Sequence, residues 1–142
     1  MKKHPRSRRA RQRLAVLVVL FVVGSMVQAA AQTQQTVEVK IKDFTFVTNQ
    51  APLLPDAPTI ITIRNEDDVR HDFGSIVFQN TSTEVESNGV VSYGRGIAGV
   101  FLDPNRQASI RFVIERPGRY EFRCSIHPNM RGELLLLNIG AV

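Results

Sequence analysis

One stretch near the C-terminal end constrains the fold more than any other. Tyr120, Phe122 and Cys124 alternate with Glu121 and Arg123 at a period of two. Such alternation belongs to a strand with one buried face, so Cys124 ends the strand on its inward side. Pro128 then stops the strand from continuing and bends the chain. His127 and Met130 can thereby turn back toward the sulfur. The run Cys124-Ser125-Ile126-His127-Pro128-Asn129-Met130 reads Cys-x-x-His-x-x-Met, and the next strand resumes after Gly132.

The rest of the chain obeys the same period. Val37, Val39 and Ile41 alternate with Glu38, Lys40 and Lys42. Thr59 to Arg64 is a β-branched run entered through Pro58, and Asn65-Glu66-Asp67-Asp68 reads as a solvated turn. His71 to Phe78 is strand-like. Ile110, Phe112 and Ile114 alternate again, Pro117-Gly118 makes a turn, and Leu134 to Ile139 is a last apolar strand. The Ser-, Thr-, Asn- and Gly-rich stretch from Gln79 to Pro104 reads as a long irregular excursion. No segment of helix length places apolar residues at a period of 3.6. The class is all-β, an antiparallel sandwich or barrel.

The first 31 residues form a different unit. Lys2, Lys3, Arg6, Arg8, Arg9, Arg11 and Arg13 make a basic region without an acid, Leu14 to Val27 is apolar, and Ala29-Ala30-Ala31 fits a cleavage site. Residues 1–31 are therefore expected to be a signal peptide or an N-terminal membrane anchor, 32–36 a linker and 37–142 the folded domain. The expected location is exported, periplasmic or otherwise extracytoplasmic. Charge follows this division. The chain carries 18 basic and 13 acidic residues, and the seven basic residues of the leader leave 11 against 13, a net of −2. The mature part has no basic stripe of the kind that binds nucleic acid.

The census of soft donors points to chemistry. The chain has 3 His, 3 Met and 1 Cys, and His4, Met1 and Met26 fall in the leader. What remains is His71, Cys124, His127 and Met130. A lone cysteine in an exported chain cannot make an internal disulfide, and an idle thiol is a hazard in an oxidising compartment. Taken singly, each residue is ordinary: a partly exposed histidine, a small buried thiol, a core methionine. Taken together, two imidazoles, a thiolate and a thioether are the ligand set of a blue-copper electron-transfer site, in which the axial thioether is weak and helps tune the potential.

Asn65-(x5)-His71, followed by Tyr120-x-Phe122-x-Cys124-x-x-His127-x-x-Met130, resembles the cupredoxins, the small plastocyanin, amicyanin and azurin group; the short loop spacing is most similar to amicyanin. The resemblance runs over most of Val37 to Ile139. It implies a Greek-key β-sandwich that binds one copper and cycles it between Cu(I) and Cu(II) in one-electron transfer. On that resemblance His71, Cys124 and His127 are the strong ligands and Met130 the axial one. The loop histidine of the family is its electron port. His127, ringed by Ile126 and Pro128, is accordingly expected to meet a cytochrome, oxidase or dehydrogenase by transient docking, with Arg70 and Arg131 biasing the choice toward an acidic partner. This chain departs from the family in having Asp72 where Asn often follows the first histidine. Ser125 is expected to donate its hydroxyl to the Asp72 carboxylate, joining the ligand loop to the histidine strand.

Two readings of such a domain compete: a monomeric electron carrier, soluble or tethered, and an exported copper chaperone or storage protein. The thiolate favours the carrier, since delivery sites tend to be Met- or His-rich and exchange readily. An enzyme is not expected. A second copper centre needs more histidines, a dinuclear one a second cysteine, and neither is present in the mature part.

Overall fold

The computed structural model describes residues 33–137. The expected leader, 1–31, and Asn138 and Ile139 at the end of the expected last strand lie outside them. Among the described residues no helix is long and apolar enough to cross a membrane. Ten strands run in chain order: β1 Gln35–Lys42, β2 Thr45–Asn49, β3 Pro58–Asn65, β4 His71–Ser75, β5 Ser82–Ser87, β6 Val90–Arg95, β7 Gly99–Leu102, β8 Gln107–Val113, β9 Gly118–Arg123 and β10 Arg131–Leu136. A six-stranded sheet has the order β2-β1-β3-β8-β5-β6, and a four-stranded sheet has the order β10-β9-β4-β7. The fold is the all-β sandwich of two sheets expected from the sequence, although β1 pairs with β3 in parallel, not antiparallel as expected. The first strand begins at Gln35, inside the segment expected to be a linker.

Period-two alternation builds the interior. Val37, Val39 and Ile41 of β1, Ile61 and Ile63 of β3, and Ala108, Ile110 and Phe112 of β8 are buried on one side of the larger sheet. Phe73, Val100, Leu102, Phe122, Leu134 and Leu136 answer from the smaller one. Between them Phe73 lies 4.8 Å from Phe122 and 5.9 Å from Phe46, centroid to centroid, with the Phe46 contacts edge-on.

Three local readings change. The stretch from Gln79 to Pro104 is ordered: β5 and β6 form an antiparallel hairpin, and β7 pairs with β4. Its turn is Asn88-Gly89, with φ of 53° and 76°. Asn-Gly suits a two-residue hairpin turn, where both central residues need positive φ. The strand expected to run from His71 to Phe78 ends at Ser75, whose hydroxyl accepts the Val77 N–H and caps a short 3₁₀ turn, Ile76–Phe78. Tyr120, expected in the core, is only half-buried. Its hydroxyl donates to the Arg116 carbonyl at 2.8 Å and braces the Pro117-Gly118 corner.

Two glycines mark where the sheets leave no room. A Cβ on Gly132 would enter the Phe122 ring, and one on Gly99 would meet the Phe73 carbonyl and the Gly74 Cα. Gly132→Ala and Gly99→Ala are each expected to cost roughly 1–3 kcal/mol by overpacking, Gly99→Ala more because backbone cannot yield. The exposed Val47→Ala should stay within about 0.5 kcal/mol. Urea denaturation of the three variants checks the order.

Candidate metal centre

The site forms where two neighbouring strands part. β4 and β9 pair only through Gly74 with Arg123 and Ser75 with Phe122. Toward the start of β4 the ladder gives way to side-chain bonds. The Asp72 N–H points at Cys124 Sγ at 3.5 Å, and the Ser125 N–H donates to Asp72 Oδ1 at 2.6 Å. Asp72 does join the ligand loop to the histidine strand, as expected, but through the main-chain amide of Ser125 in place of its hydroxyl. An amide is the better anchor because its direction is set by the backbone. With the loop folded over them, His71, Asp72 and Phe73 are all buried, on both faces of β4.

The loop also closes on itself. The Cys124 N–H donates to the Met130 carbonyl at 3.1 Å, and the Met130 N–H to the His127 carbonyl at 2.9 Å. These bonds turn the chain at Pro128 and bring His127 back over Cys124. Met130 is 2% exposed and joins the core cluster.

Three donor atoms converge. Cys124 Sγ stands 3.9 Å from His71 Nδ1 and 3.6 Å from His127 Nδ1, and the donor atoms of all three residues lie within 4.8 Å of one another. Sulfur and nitrogen ligands at roughly 2.3 and 2.0 Å from one ion stand about 3.7 Å apart across a trigonal angle. The two sulfur–nitrogen distances are thus already close to those around a shared ion, and the cluster could hold a metal. The donors are soft, as suits such an ion: a thiol and two imidazoles, with Met130 at the loop's far end. The histidines differ in setting, His71 being fully buried and His127 half-buried on the loop.

Asp67 belongs to this centre although its sequence context reads as a solvated turn. Its side chain is 8% exposed, and its Oδ2 lies 2.9 Å from His71 Nε2. Its oxygens also accept the N–H groups of Asp43 and Phe44 at 2.7 and 3.0 Å. Burial pushes this carboxyl up, but those two N–H bonds and His71 together outweigh it and hold it below its ordinary value. Phe44 is a second addition. Its ring stands edge-on to His71 and to His127, at 5.4 and 5.0 Å. Neither residue carries a motif: Asp43-Phe44 lacks the Asn or Gly usual in a hairpin turn. Arg70 and Arg131, expected to bias the site toward an acidic partner, are exposed and each lies beside an acid of this chain. Arg70 pairs with Asp103 at 3.4 Å and stacks on Phe101, and Arg131 lies 3.9 Å from Glu121.

A family now follows from fold and site. A model of the cupredoxin-like domain matches residues 13–136. The chain belongs to the cupredoxin family. Among solved structures this cupredoxin resembles a multi-copper oxidase from Pseudomonas thermotolerans, with a TM-score of 0.55 and 14% identity over 75% of this chain and 30% of the oxidase. A multicopper oxidase from Campylobacter jejuni aligns with a TM-score of 0.49 and 16% identity, over 72% of this chain and 29% of that one. A variant of amicyanin in its Cu(I) form gives 0.47 and 17%, over 74% and 85%. The chain thus spans less than a third of either oxidase. No curated protein matches it.

Burial pushes the Cys124 thiol up from its ordinary value of 9.0; the Asp72 side chain adds to this, while the Asp72, His127 and Ile126 amides pull the other way. As pH rises through that value the unfolded chain loses a thiol proton that the folded chain keeps. The stability of the metal-free protein should therefore fall on the alkaline side, by at most about 1.4 kcal/mol per pH unit from this group. Cys124→Ala should remove that part of the slope in denaturation series taken from neutral to alkaline pH. A divalent metal that recruits the thiolate should release a proton, measurable by titration in weakly buffered solution.

Proposed function

We propose that this cupredoxin is a mononuclear type 1 copper protein that carries single electrons between redox partners outside the cytoplasm. The observation that carries the reading is the convergence of His71 Nδ1, Cys124 Sγ and His127 Nδ1 where β4 and β9 part. In this reading those three residues, together with Met130, would hold the copper. When bound, copper supplies a one-electron couple between Cu(I) and Cu(II). The chain's own part is to hold the donors still. Asp72 ties the loop to β4, the two main-chain bonds of the loop fix its turn, and the aromatic core beneath resists displacement. Donors that move little between two oxidation states need little reorganisation at each transfer.

The setting also supports a carrier over a delivery or storage protein. Cys124 is 1% exposed and His71 is fully buried, so two of the three donors are shielded from competing ligands in solvent. An enzyme with a second copper centre finds little support. The mature part has two histidines and one cysteine, all committed here. His127 is the ligand nearest solvent, and Ile126 and Phe44, about half exposed, lie around it. We assign docking of a cytochrome, oxidase or dehydrogenase to this rim, apolar contact being suited to a brief encounter. The leader's basic and apolar run supports a location outside the cytoplasm.

Adding Cu(II) should produce an intense thiolate-to-copper band in the visible that bleaches reversibly with reductant. Cys124→Ala should lack it. A colourless wild type that still binds copper would favour delivery or storage instead. If Arg70 and Arg131 stay engaged with Asp103 and Glu121, reversing both charges should change the electron-transfer rate at low salt less than about threefold, as exposed pairs contribute little. Stopped-flow reduction by a soluble cytochrome measures this.

A further inference from the structure

Asp67 gathers three donors that have no other reason to meet. Its Oδ1 accepts the Asp43 N–H at 2.7 Å, and its Oδ2 accepts the Phe44 N–H at 3.0 Å and faces His71 Nε2 at 2.9 Å. Asp67 is itself held. Its N–H donates to Asn65 Oδ1 at 3.0 Å, and the Asn65 amide group donates to the carbonyls of Val69, Leu102 and Asp103. The turn it grips is unusual. Asp43 and Phe44 have φ of 51° and 55°, a region that a bulky aromatic residue seldom occupies. A strained conformation of this kind persists where surrounding bonds over-determine it. Its result is that the Phe44 ring stands edge-on to both imidazoles.

We propose that Asp67 is a positioning residue for the metal centre, holding His71 in the tautomer that frees Nδ1 and clamping Phe44 over both histidines. A neutral imidazole has one N–H and one lone pair. With Nε2–H donating to Asp67, the lone pair falls on Nδ1, the atom that faces Cys124. A carboxylate behind a ligating histidine also raises its basicity and fixes its ring. Because one side chain does both tasks, the buried ligand and the surface turn are mechanically one unit. Asparagine cannot replace it. An amide has a single oxygen and brings two N–H groups of its own, so three converging donors cannot all be met.

The assignment deepens the copper reading, but its first test needs no metal. Long-range ¹H–¹⁵N correlation spectra of the full-length metal-free protein at neutral pH report histidine tautomers directly. Wild type should show His71 as the Nε2–H tautomer alone, with that proton protected from solvent. Asp67→Asn should show a mixture or the Nδ1–H form. Phe44→Gly relieves the positive φ and removes the ring. It should keep the Nε2–H tautomer while that proton exchanges with water at least about tenfold faster. After copper loading, Asp67→Asn should lower the preference for Cu(II) over Cu(I) about tenfold, a rise in potential of about 59 mV.

A mixed tautomer in wild type would overturn the proposal even if Asp67→Asn failed to fold. So would an unchanged tautomer in Asp67→Asn, which would leave Asp67 as a brace for the turn alone. Unchanged exchange in Phe44→Gly would overturn the clamp. A protein that never binds copper but gives the expected metal-free spectra would sink the copper reading and leave this one standing.

Discussion

The bond from the Ser125 amide to the Asp72 carboxylate is the point on which the site turns. β4 and β9 are neighbours in one sheet, yet their ladder stops at Ser75 and Phe122 on one side and Gly74 and Arg123 on the other. Continued further, it would have paired Asp72 backbone with the strand carrying the thiol and left no gap. Instead the strands part, and Asp72 spans the opening with its side chain and its own N–H. The opening is where two imidazoles and a sulfur fit. A carboxylate in that place is short and nearly buried and accepts the Ser125 N–H, so it holds the loop without filling the space the donors need.

The rigidity of the centre comes from what lies under it. Phe73 and Phe122 stand next to the ligand-bearing ends of their strands and pack on each other and on Phe46. Gly132 and Gly99 let the neighbouring strands approach those rings and that backbone without a Cβ in the way. Packing at this density transmits any displacement into many contacts at once. The loop can therefore be short and still be firm, since its two internal hydrogen bonds need only set a turn whose base is already fixed.

Two acids flank the centre and work in opposite directions. Asp72 faces the sulfur, and its side chain helps keep the thiol protonated in the metal-free protein. Asp67 sits behind His71 and is itself kept ionised by backbone N–H groups. Ligation would take the proton from Cys124 while leaving the Asp67 arrangement undisturbed. Both acids also reach outward. Asp72 connects to the loop that carries His127, and Asp67 to the turn that carries Phe44. The half-buried His127 is thus framed by elements tied separately to Cys124 and His71.

Much of this protein is legible in one dimension. Val37, Val39 and Ile41, then Ile61 and Ile63, then Ile110 and Phe112 announce strands with one wet face, because a pleated backbone sends alternate side chains to opposite sides. Cys124, His127 and Met130 announce a candidate metal site, because spacing within a short loop is local and Pro128 enforces the bend. Asn88-Gly89 also announces a hairpin, by turn chemistry that the polar composition around it obscures. The remainder belongs to contacts between distant segments. Asp67 looks like any acid in a turn until β1, β2 and His71 close around it, and Phe44 looks like an ordinary strand residue until its turn is held at positive φ. The amide of Ser125, not its hydroxyl, meets Asp72 because the loop's path sets where its N–H points. Sequence alone determined the class of fold and the four soft donors, since both depend on local period and local chemistry. Tertiary structure decided which groups surround those donors and hold them, since that depends on the non-local pairing of strands.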